Sequence, residues 1–336
     1  MKRLSFFIFV FFAAVFLQKN NGLAMENVGS KTVVSHFGSL RVDGKNIVDK
    51  NGDTVVLHGM SLFWSQWGGQ FYNKETVDWL VNDWHCTVIR AAIGIAKDGY
   101  PDNPEKELEK LYTVIDACVD AGIYVIIDWH DHHAEKHGDL AADFFAKVSA
   151  KYSDTPNVIY EIFNEPLKIS WKEVIKPYAE KVISVIRKND PDNLIVVGTP
   201  TWSQDVDDVI GNRIDDPNTV YSYHFYSSTH QQDVRDRAIK AMDAGVPLFV
   251  TEWGMSEASG TGTINVEQTK VWTDFLEKNN LSWCNWSIIT KDETSAALLP
   301  TTEKLSGWSD AELSQSGKTI RNYIREMNSD IFNNLK

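Results

Sequence analysis

The sequence contains few cysteines, and their spacing is irregular. Cys86, Cys118 and Cys284 are the only three in 336 residues. This number is too small for a disulfide framework, and an odd count leaves one thiol unpaired. Cys86 opens a predicted strand and Cys118 ends the predicted helix after it, so one bridge between these two is a hypothesis. The alternative is that both are ordinary buried core residues.

Basic charge is also scarce. The chain carries 33 Lys and Arg against 46 Asp and Glu, which gives a formal net charge of −13. A chain this acidic is repelled by the phosphates of nucleic acids and by anionic lipids. We therefore expect neither nucleic acid nor a membrane surface as a partner.

Long apolar runs are missing except near the N-terminus. Met1–Arg3 is a short basic segment, Leu4–Leu17 is an apolar run, and Gly22–Ala24 offers small residues for cleavage. This layout is typical of a secretory signal peptide, and the run is shorter than the ~20 residues of a membrane-spanning helix. We expect residues 1–24 to be a signal peptide and residues 25–336 to form one domain. The protein is then expected to be secreted, extracellular and monomeric.

Short β-branched runs alternate with amphipathic stretches from residue 55 onward. The predicted strands are 55–57, 87–89, 124–127, 158–160, 194–197, 220–223, 248–250 and 281–283. Between them apolar residues recur three and four apart, as at Leu108, Leu111 and Ile115, which predicts helices. Such alternation indicates parallel strands with helical crossovers, and eight units fit an α/β fold of the (β/α)8 TIM-barrel type. An open doubly wound sheet is the alternative, but the glycine-rich loop usual after its first strand is absent.

An N-terminal hairpin precedes these units. Leu40–Val42 and Asn46–Val48 flank Asp43-Gly44-Lys45. Asp-Gly between alternating apolar residues is typical of a tight hairpin turn. We expect this strand pair to cap the bottom of the barrel.

Polar and aromatic residues end or follow the predicted strands. In a barrel, functional residues lie at the carboxyl ends of the strands, so these side chains are expected to share one pocket. The strand-end residues are Arg90, His130, Glu165, Trp202, His224, Tyr226, Glu252 and Trp286.

Two carboxylates across such a pocket, Glu165 and Glu252, suit cleavage of a glycosidic bond. One protonates the leaving oxygen while the other attacks the anomeric carbon. Arg90 near Glu252 would keep the attacking group ionised. A less polar setting, together with the charge of Glu252, would raise the pKa of Glu165 and keep it protonated.

The segments around the two glutamates resemble a known family. Ile162-Phe163-Asn164-Glu165-Pro166 and Phe249-Val250-Thr251-Glu252-Trp253-Gly254 look like the acid/base and nucleophile strands of glycoside hydrolase family 5. The chain is similar to the secreted endo-β-1,4-glucanases (cellulases) of that family over residues 36–328. Further matching segments are His58–Ser61, Val88–Ala92, Ile126–His130, Gly198–Gln204, Tyr223–Tyr226, Ser282–Ser287 and Lys291–Glu293.

The resemblance implies a role for each matching residue. Glu165 would be the acid/base and Glu252 the nucleophile of a retaining mechanism that acts on β-1,4-glucan and needs no cofactor. Asn164 would hydrogen-bond the sugar 2-hydroxyl, and Arg90 would orient Glu252. His130, His224 and Tyr226 would position the carboxylates and the substrate. Trp67, Trp202 and Trp286 would stack on glucosyl units. Lys291 and Glu293 would contact sugar hydroxyls.

Two positions depart from the family pattern. Many of these cellulases carry His where this chain has Phe63, and Tyr where it has Gly94. Both positions lie on the glycone side of the cleft in the family, so sugar binding there would differ. A β-mannanase or xyloglucanase on the same barrel is therefore the alternative within the enzyme class. A sugar-binding barrel without catalysis is disfavoured, because Asn164, Arg90 and both glutamates are present.

The segment His130–His137 holds the densest group of residues that can bind metals. Its spacing matches neither the helical zinc-protease motif nor a structural zinc finger. We interpret it as a polar loop after the third predicted strand, with only His130 in the active site and no metal.

Overall fold

The computed structural model describes residues 31–335. The expected signal peptide, residues 1–24, and the first residues of the expected domain lie outside this range. Within residues 31–335, no helix combines the length and apolar character that a membrane crossing requires.

Eight parallel strands close into a barrel. They are β3 His58–Leu62, β4 Val88–Gly94, β5 Tyr124–His130, β6 Val158–Glu161, β7 Ile195–Val197, β8 Thr219–Tyr226, β9 Leu248–Gly254 and β10 Trp283–Ile288. Each strand pairs with the next along the chain, and β10 returns to β3. Every strand residue is buried, as expected for parallel strands covered by helices on the outside. The predicted (β/α)8 barrel is confirmed.

The strand boundaries differ from the predicted apolar runs. β4, β5, β8 and β9 continue into the polar residues that follow, because pairing with their neighbours continues there. The first barrel strand begins at His58 and not at Val55. Thr54 instead forms an isolated bridge with Val48, and the Val55 amide donates to the Ile47 carbonyl. Thr54 and Val55 therefore extend the N-terminal hairpin, and the chain enters the barrel only at His58.

Ten α-helices accompany the strands in residues 31–335, and the longer ones pack on the outside of the barrel. They are α1 Val33–Phe37, α2 Lys74–Asn82, α3 Pro104–Ala121, α4 Gly138–Tyr152, α5 Lys176–Ile186, α6 Pro200–Ser203, α7 Gln232–Asp243, α8 Val266–Lys278, α9 Gln315–Met327 and α10 Ser329–Asn334. Between β7 and β8, only the short α6 turn and a 3₁₀ segment, Val206–Val209, occupy the place of a long helix. The connection 198–218 is rich in Asp, Gly and Pro, which favour turns. The predicted alternation of strands and helices therefore lacks a full-length helix between β7 and β8.

α3 shows how the predicted periodicity becomes packing. Pro104 occupies the first turn, where its missing N–H costs nothing. Leu111, Ile115 and Cys118 are buried on one face against the barrel, and each such apolar side chain contributes about 1.5–3 kcal/mol by leaving water. Gly122 ends the helix at φ +68°, a left-handed conformation that favours glycine.

The N-terminal hairpin consists of β1 Arg41–Asp43 and β2 Asn46–Val48, paired antiparallel. The Val42 amide donates to Asn218 Oδ1 at 2.8 Å, and Asn218 immediately precedes β8. The hydroxyl of Tyr124, the first residue of β5, donates to the Gly38 carbonyl at 2.6 Å. The hairpin region therefore contacts the beginnings of barrel strands, which confirms that it caps the bottom of the barrel.

The cysteines do not form the bridge that their positions suggested. Cys86, Cys118 and Cys284 are free and buried, and burial raises the pKa of each thiol. Cys118 belongs to the apolar face of α3, and Cys86 lies just before β4 in the same hydrophobic core. The hypothesis of a Cys86–Cys118 bridge was therefore wrong, since both residues are core packing residues in this structure.

Candidate active site

The carboxyl ends of the barrel strands bring the sequence-predicted residues together. Arg90 lies on β4, His130 on β5, His224 on β8 and Glu252 on β9. Asn164 and Glu165 follow β6, and the strand register pairs His224 with Glu252. Function is expected at this end of a barrel because every parallel strand presents its last residues there.

Arg90 lies at the centre of the site and has no exposed surface. Its Nε donates to Glu161 Oε2 at 2.7 Å, and its Nη1 donates to Glu252 Oε2 at 3.0 Å. Its Nη2 lies 2.9 Å from Asp128 Oδ2 and 2.6 Å from Asn164 Oδ1. Burial disfavours the guanidinium charge, but the surrounding carboxylates outweigh it and raise the pKa of Arg90 well above its ordinary value.

Two buried acids in this network were absent from the predicted site. Asp128 contacts His130 Nδ1 at 2.6 Å, and Glu161 accepts a hydrogen bond from the Thr251 hydroxyl at 2.6 Å. Burial raises the pKa of Asp128 to about 8 and also raises the pKa of Glu161. The strand period of two could have identified Asp128, because it shares a face with His130. No comparable pattern marks Glu161.

Glu252 is held by two donors. Its Oε2 accepts from Arg90, and its Oε1 accepts from the Tyr226 hydroxyl at 2.8 Å. Burial, reinforced by the charge of Glu252, raises the pKa of Tyr226 well above its ordinary value, so the phenol remains a donor. The carboxylate of Glu252 therefore has a fixed orientation toward the cleft.

Glu165 lies among different neighbours. Its Oε1 is 3.0 Å from His224 Nδ1, and its Oε2 is 3.5 Å from His132 Nδ1. Burial raises the pKa of Glu165 to about 7, with His132 and Arg90 acting against it and the charges of Asp128 and Glu161 adding to it. The pKa of Glu165 is therefore raised, as predicted, but burial is the main cause, whereas a contribution from the charge of Glu252 was also expected.

His224 is a neutral neighbour of Glu165. Its Nε2 lies 2.8 Å from Ser222 Oγ and 2.9 Å from Thr251 Oγ1. Burial lowers the pKa of His224 to about 4. The ring therefore orients Glu165 near neutral pH without adding a positive charge.

The two glutamates are close enough to act on one bond. Side-chain ligand atoms of Glu165, His224 and Glu252 all lie within 4.8 Å of one another. Carboxyl groups about 5–5.5 Å apart are typical of retaining glycosidases, whereas inverting enzymes separate them by about 6.5–9.5 Å to admit a water. The short spacing therefore favours direct attack by one carboxylate.

The imidazoles of the loop after β5 have separate acidic partners. His133 Nδ1 lies 3.6 Å from Glu135, and His137 Nδ1 lies 2.6 Å from Asp131. His132 reaches Glu165 instead, so the prediction that only His130 of this loop lies in the site was incomplete. Its position beside Glu165 depends on the loop conformation, which residue spacing does not reveal.

Two adjoining cavities of about 600 and 380 Å³ form a cleft, and both reach Glu165 and Glu252. The smaller cavity is lined by Phe63, Trp64, Trp67, His132, Trp286, Lys291 and Glu293, among others. The larger one extends past Lys168, Thr201, Trp202, Gln204 and His230. All five substrate-contact residues named from the sequence therefore line this cleft.

The three tryptophans of the cleft differ in exposure. Trp67 and Trp202 expose 55% and 39% of their surface, whereas Trp286 exposes only 5%. Trp286 is stacked on His130, with ring centroids 5.1 Å apart, and it also contacts Phe63 at 5.2 Å. Trp67, which also contacts the Trp64 ring, and Trp202 thus present exposed aromatic surface, while Trp286 forms part of a packed wall.

The turn α6 positions Trp202 with unusual backbone angles. Thr201, Trp202 and Ser203 all have φ between +55° and +57°, a region that non-glycine residues rarely adopt. The Trp202 amide donates to the Pro166 carbonyl at 2.8 Å, and Ser203 Oγ donates to the Asn164 carbonyl at 2.9 Å. Strained backbone of this kind clusters at functional sites, and here it ties the tryptophan to the Glu165 loop.

Of the two positions that depart from the family pattern, Phe63 lines the smaller cavity, and Gly94 pairs with His130, which also lines it. The Phe63 ring packs against Trp286, and Lys291 Nζ lies 5.4 Å from its centroid. At Gly94 an added Cβ would lie 1.9 Å from Gln66 Oε1. The Gln66 side chain therefore fills the space that a larger residue at position 94 would need.

Comparison with known proteins agrees with this geometry. The family model of cellulases (glycosyl hydrolase family 5) matches residues 48–292. Endoglucanase A of Evansella cellulosilytica is 46% identical over 331 residues, which cover 97% of this chain and 67% of that protein. Endoglucanase N of Pectobacterium atrosepticum is 44% identical over 300 residues, or 88% of this chain and 67% of that protein.

A solved structure extends the likeness to the whole barrel. The catalytic domain of Thermobifida fusca endoglucanase Cel5A in complex with cellotetraose is 31% identical, with a TM-score of 0.85. The match covers 88% of this chain and 100% of that one. Taken together, the family match, the relatives and the barrel show that the chain belongs to the cellulase family, glycosyl hydrolase family 5.

Proposed function

We propose that this protein is an endo-β-1,4-glucanase that hydrolyses internal bonds of cellulose and related β-glucans with retention of configuration. The observation that carries the proposal is the close approach of Glu165 and Glu252 within a tryptophan-lined cleft. The endoglucanase names of the similar proteins support the same activity and favour it over a β-mannanase or a xyloglucanase.

In the first step Glu252 attacks the anomeric carbon and Glu165 protonates the leaving oxygen. Arg90 and Tyr226 hold the two oxygens of Glu252, so the attacking group needs no reorientation. Glu165 has a pKa of about 7 and therefore carries its proton in mildly acidic and neutral solution. The bond between the anomeric carbon and the leaving sugar breaks, and a glycosyl ester forms on Glu252.

In the second step water hydrolyses the ester. Glu165 is now ionised, takes a proton from the water and so returns to its starting state. His224 stays neutral through this cycle because its pKa is about 4. Two inversions at one carbon give net retention.

The cleft supplies the contacts for the sugar chain. Asn164 Oδ1 is occupied by Arg90, whereas its buried Nδ2 has no partner among the described residues and is available to the sugar 2-hydroxyl. The exposed faces of Trp67 and Trp202 suit stacking on glucosyl rings. Lys291 and Glu293, paired at 2.7 Å, offer polar contacts on the side of the smaller cavity.

The proposal includes export of the protein. Residues 1–24 act as a signal peptide, and the enzyme works outside the cell as a monomer, where its polymeric substrate is found. Mass spectrometry of the exported protein is expected to show an N-terminus at or near residue 25. Retention of residues 1–24 in the exported protein would contradict the signal-peptide assignment.

Activity on a panel of soluble polysaccharides tests the proposed reaction. We expect rapid viscosity loss on carboxymethyl cellulose and barley β-glucan, with few reducing ends released at first, because cleavage is internal. Little activity is expected on β-mannan and xyloglucan. The Glu165→Gln variant is the matched control and should lose activity on the polysaccharides. A preference for mannan or xyloglucan would overturn the substrate assignment while leaving the carboxylate pair in place.

A further inference from the structure

His132 lies where it can influence the acid/base group directly. It belongs to the loop after β5, and its side chain is 36% exposed. Its Nδ1 lies 3.5 Å from Glu165 Oε2 and 3.4 Å from the Glu165 carbonyl oxygen. Its ring centroid lies 6.0 Å from that of Trp64, in the wall of the smaller cavity.

Each oxygen of the Glu165 carboxyl group therefore faces a different imidazole. His224 contacts Oε1 from a fully buried position on β8 and keeps its partners Ser222 and Thr251. His132 contacts Oε2 from the solvent side of the cleft. Histidine is the side-chain type whose charge changes near neutral pH, and an exposed imidazole can exchange its proton with water.

We propose that His132 is a positioning residue for Glu165, which steadies its carboxyl group at the cleft wall and competes with it for the proton that the leaving sugar receives. This inference rests on the acid/base role proposed for Glu165. The productive state has the proton on Glu165. The state with the proton on His132 leaves an ionised Glu165 that has nothing to donate.

Other charged groups also act on Glu165. Those that face it are Arg90 of β4, Asp128 of β5, Glu161 of β6, His224 and Tyr226 of β8 and Glu252 of β9. Lys168 lines the same cavity, whereas Asp131 contacts Glu165 only through its backbone carbonyl and directs its carboxylate to His137. Burial raises the pKa of Glu165 to about 7, and the positive form of His132 is the strongest opposing influence, followed by Arg90. Arg90 is held in its own buried ion pairs, whereas His132 lies at the cleft wall with 36% of its side chain exposed.

The pH dependence of kcat/KM separates this role from simple packing. In His132→Asn the amide can replace the Nδ1 contact but carries no charge, whereas His132→Ala removes both. We expect the alkaline limb to move upward in both variants, by about half a pH unit. Near the wild-type optimum we expect Asn to retain most of kcat, whereas Ala loses about tenfold through a less ordered acid.

The matched control is His133→Asn. His133 is the adjacent residue, pairs with Glu135 and does not line the cleft. Its substitution should leave the alkaline limb unchanged. A dinitrophenyl glycoside offers a second readout, because its leaving group needs no protonation. The change at His132 should therefore move the alkaline limb of kcat/KM on the polysaccharide but not on this substrate.

The possible failures are distinguishable. If Glu165→Gln retains polysaccharide hydrolysis, the acid/base assignment itself is wrong. If Glu165→Gln is inactive but the alkaline limb of His132→Asn coincides with that of the wild type, the role of His132 is overturned and the proposed function stands. An equal shift in His133→Asn would also overturn it, because the effect would then not depend on the contact with Glu165.

Discussion

At the scale of single residues, the two glutamates have different chemical surroundings. Glu252 is bound by the Arg90 guanidinium and the Tyr226 hydroxyl. Glu165 lies beside two imidazoles with 12% of its side chain exposed, and partial burial raises its pKa to about 7. Pairs of carboxyl groups whose environments separate their proton affinities are the basis of acid/base and nucleophile assignments in glycosidases.

Replacing Glu252 tests the nucleophile. We expect Glu252→Ala to lower kcat by roughly a thousandfold or more, because no group remains to form the covalent intermediate. Azide should restore part of the turnover on an activated aryl glycoside and give a glycosyl azide of inverted configuration, since it attacks from the vacated side. The control is Glu267→Ala, which changes an exposed glutamate in the first turn of α8. Near-normal activity of Glu252→Ala would refute the assignment.

The titration of Glu165 predicts the alkaline limit of activity. Catalysis needs the protonated acid, so kcat/KM should fall as the pH rises through about 7. A pH–rate profile on a soluble β-glucan measures this limb. Full activity maintained above pH 9 would mean that Glu165 is not the proton donor, or that its pKa lies far higher than its burial implies.

At the scale of elements, Arg90 joins four strands through side-chain contacts. It bonds acids on β5, β6 and β9 from its own position on β4. A buried charge needs this complete set of partners, because removal of one partner leaves the others uncompensated. The same contacts that orient Glu252 therefore also hold the upper end of the barrel together.

The Arg90→Lys variant tests whether Arg90 both orients Glu252 and stabilises the fold. Lysine keeps the charge but lacks the planar fork that reaches several carboxylates together. We expect unfolding to become easier by about 3–5 kcal/mol and kcat to fall at least about a hundredfold, as measured by thermal unfolding and turnover. Arg213→Lys, at an exposed arginine that bonds the Gly245 carbonyl, should change neither. An unchanged melting temperature would contradict the structural role.

The turn α6 leads to a prediction about substrate stacking. Trp202→Ala keeps the backbone bonds of the turn but removes the exposed ring. We expect kcat/KM on long β-glucans to fall about tenfold, the value of one aromatic stacking contact. Trp202→Phe should recover part of it. Val266→Ala, at another exposed apolar residue, is the control and should have no effect.

The barrel strands and the two glutamates could be predicted from the sequence, whereas some of the residues around the glutamates could not. Barrel strands are buried on both faces, so their apolar runs were visible, and Glu165 and Glu252 stood out in a recognisable context. Glu161 was harder to identify, because an acid with no marking pattern resembles a surface residue until the barrel surrounds Arg90. His132 was missed because its contact with Glu165 depends on a loop conformation that residue spacing does not encode.

At the scale of the whole molecule, the two ends of the barrel have separate roles, one structural and one catalytic. The N-terminal hairpin covers the beginnings of the strands, and the cleft lies at their carboxyl ends. The three cysteines lie in neither the hairpin nor the cleft, since all are buried in the core. Substitutions at the bottom should therefore affect stability before they affect catalysis.

Thiol titration checks the state of the cysteines in the complete protein. We expect essentially no reaction in the native state, because the three thiols are buried and their pKa values are raised. In denaturant without reductant, all three should react. Fewer than three reactive thiols under those conditions would show that a bridge forms in the exported protein after all.

The continuity of the two cavities has a consequence for the end point of digestion. Because they meet at Glu165 and Glu252, a chain must extend to both sides of the carboxylates to gain every contact. Each cut shortens the fragments, and a fragment that fills one side only forfeits part of its binding energy. We therefore expect hydrolysis to slow before single sugars accumulate, and to leave short soluble oligosaccharides. Conversion of these fragments to glucose would need a site that gains its full binding energy from one side of the cleaved bond.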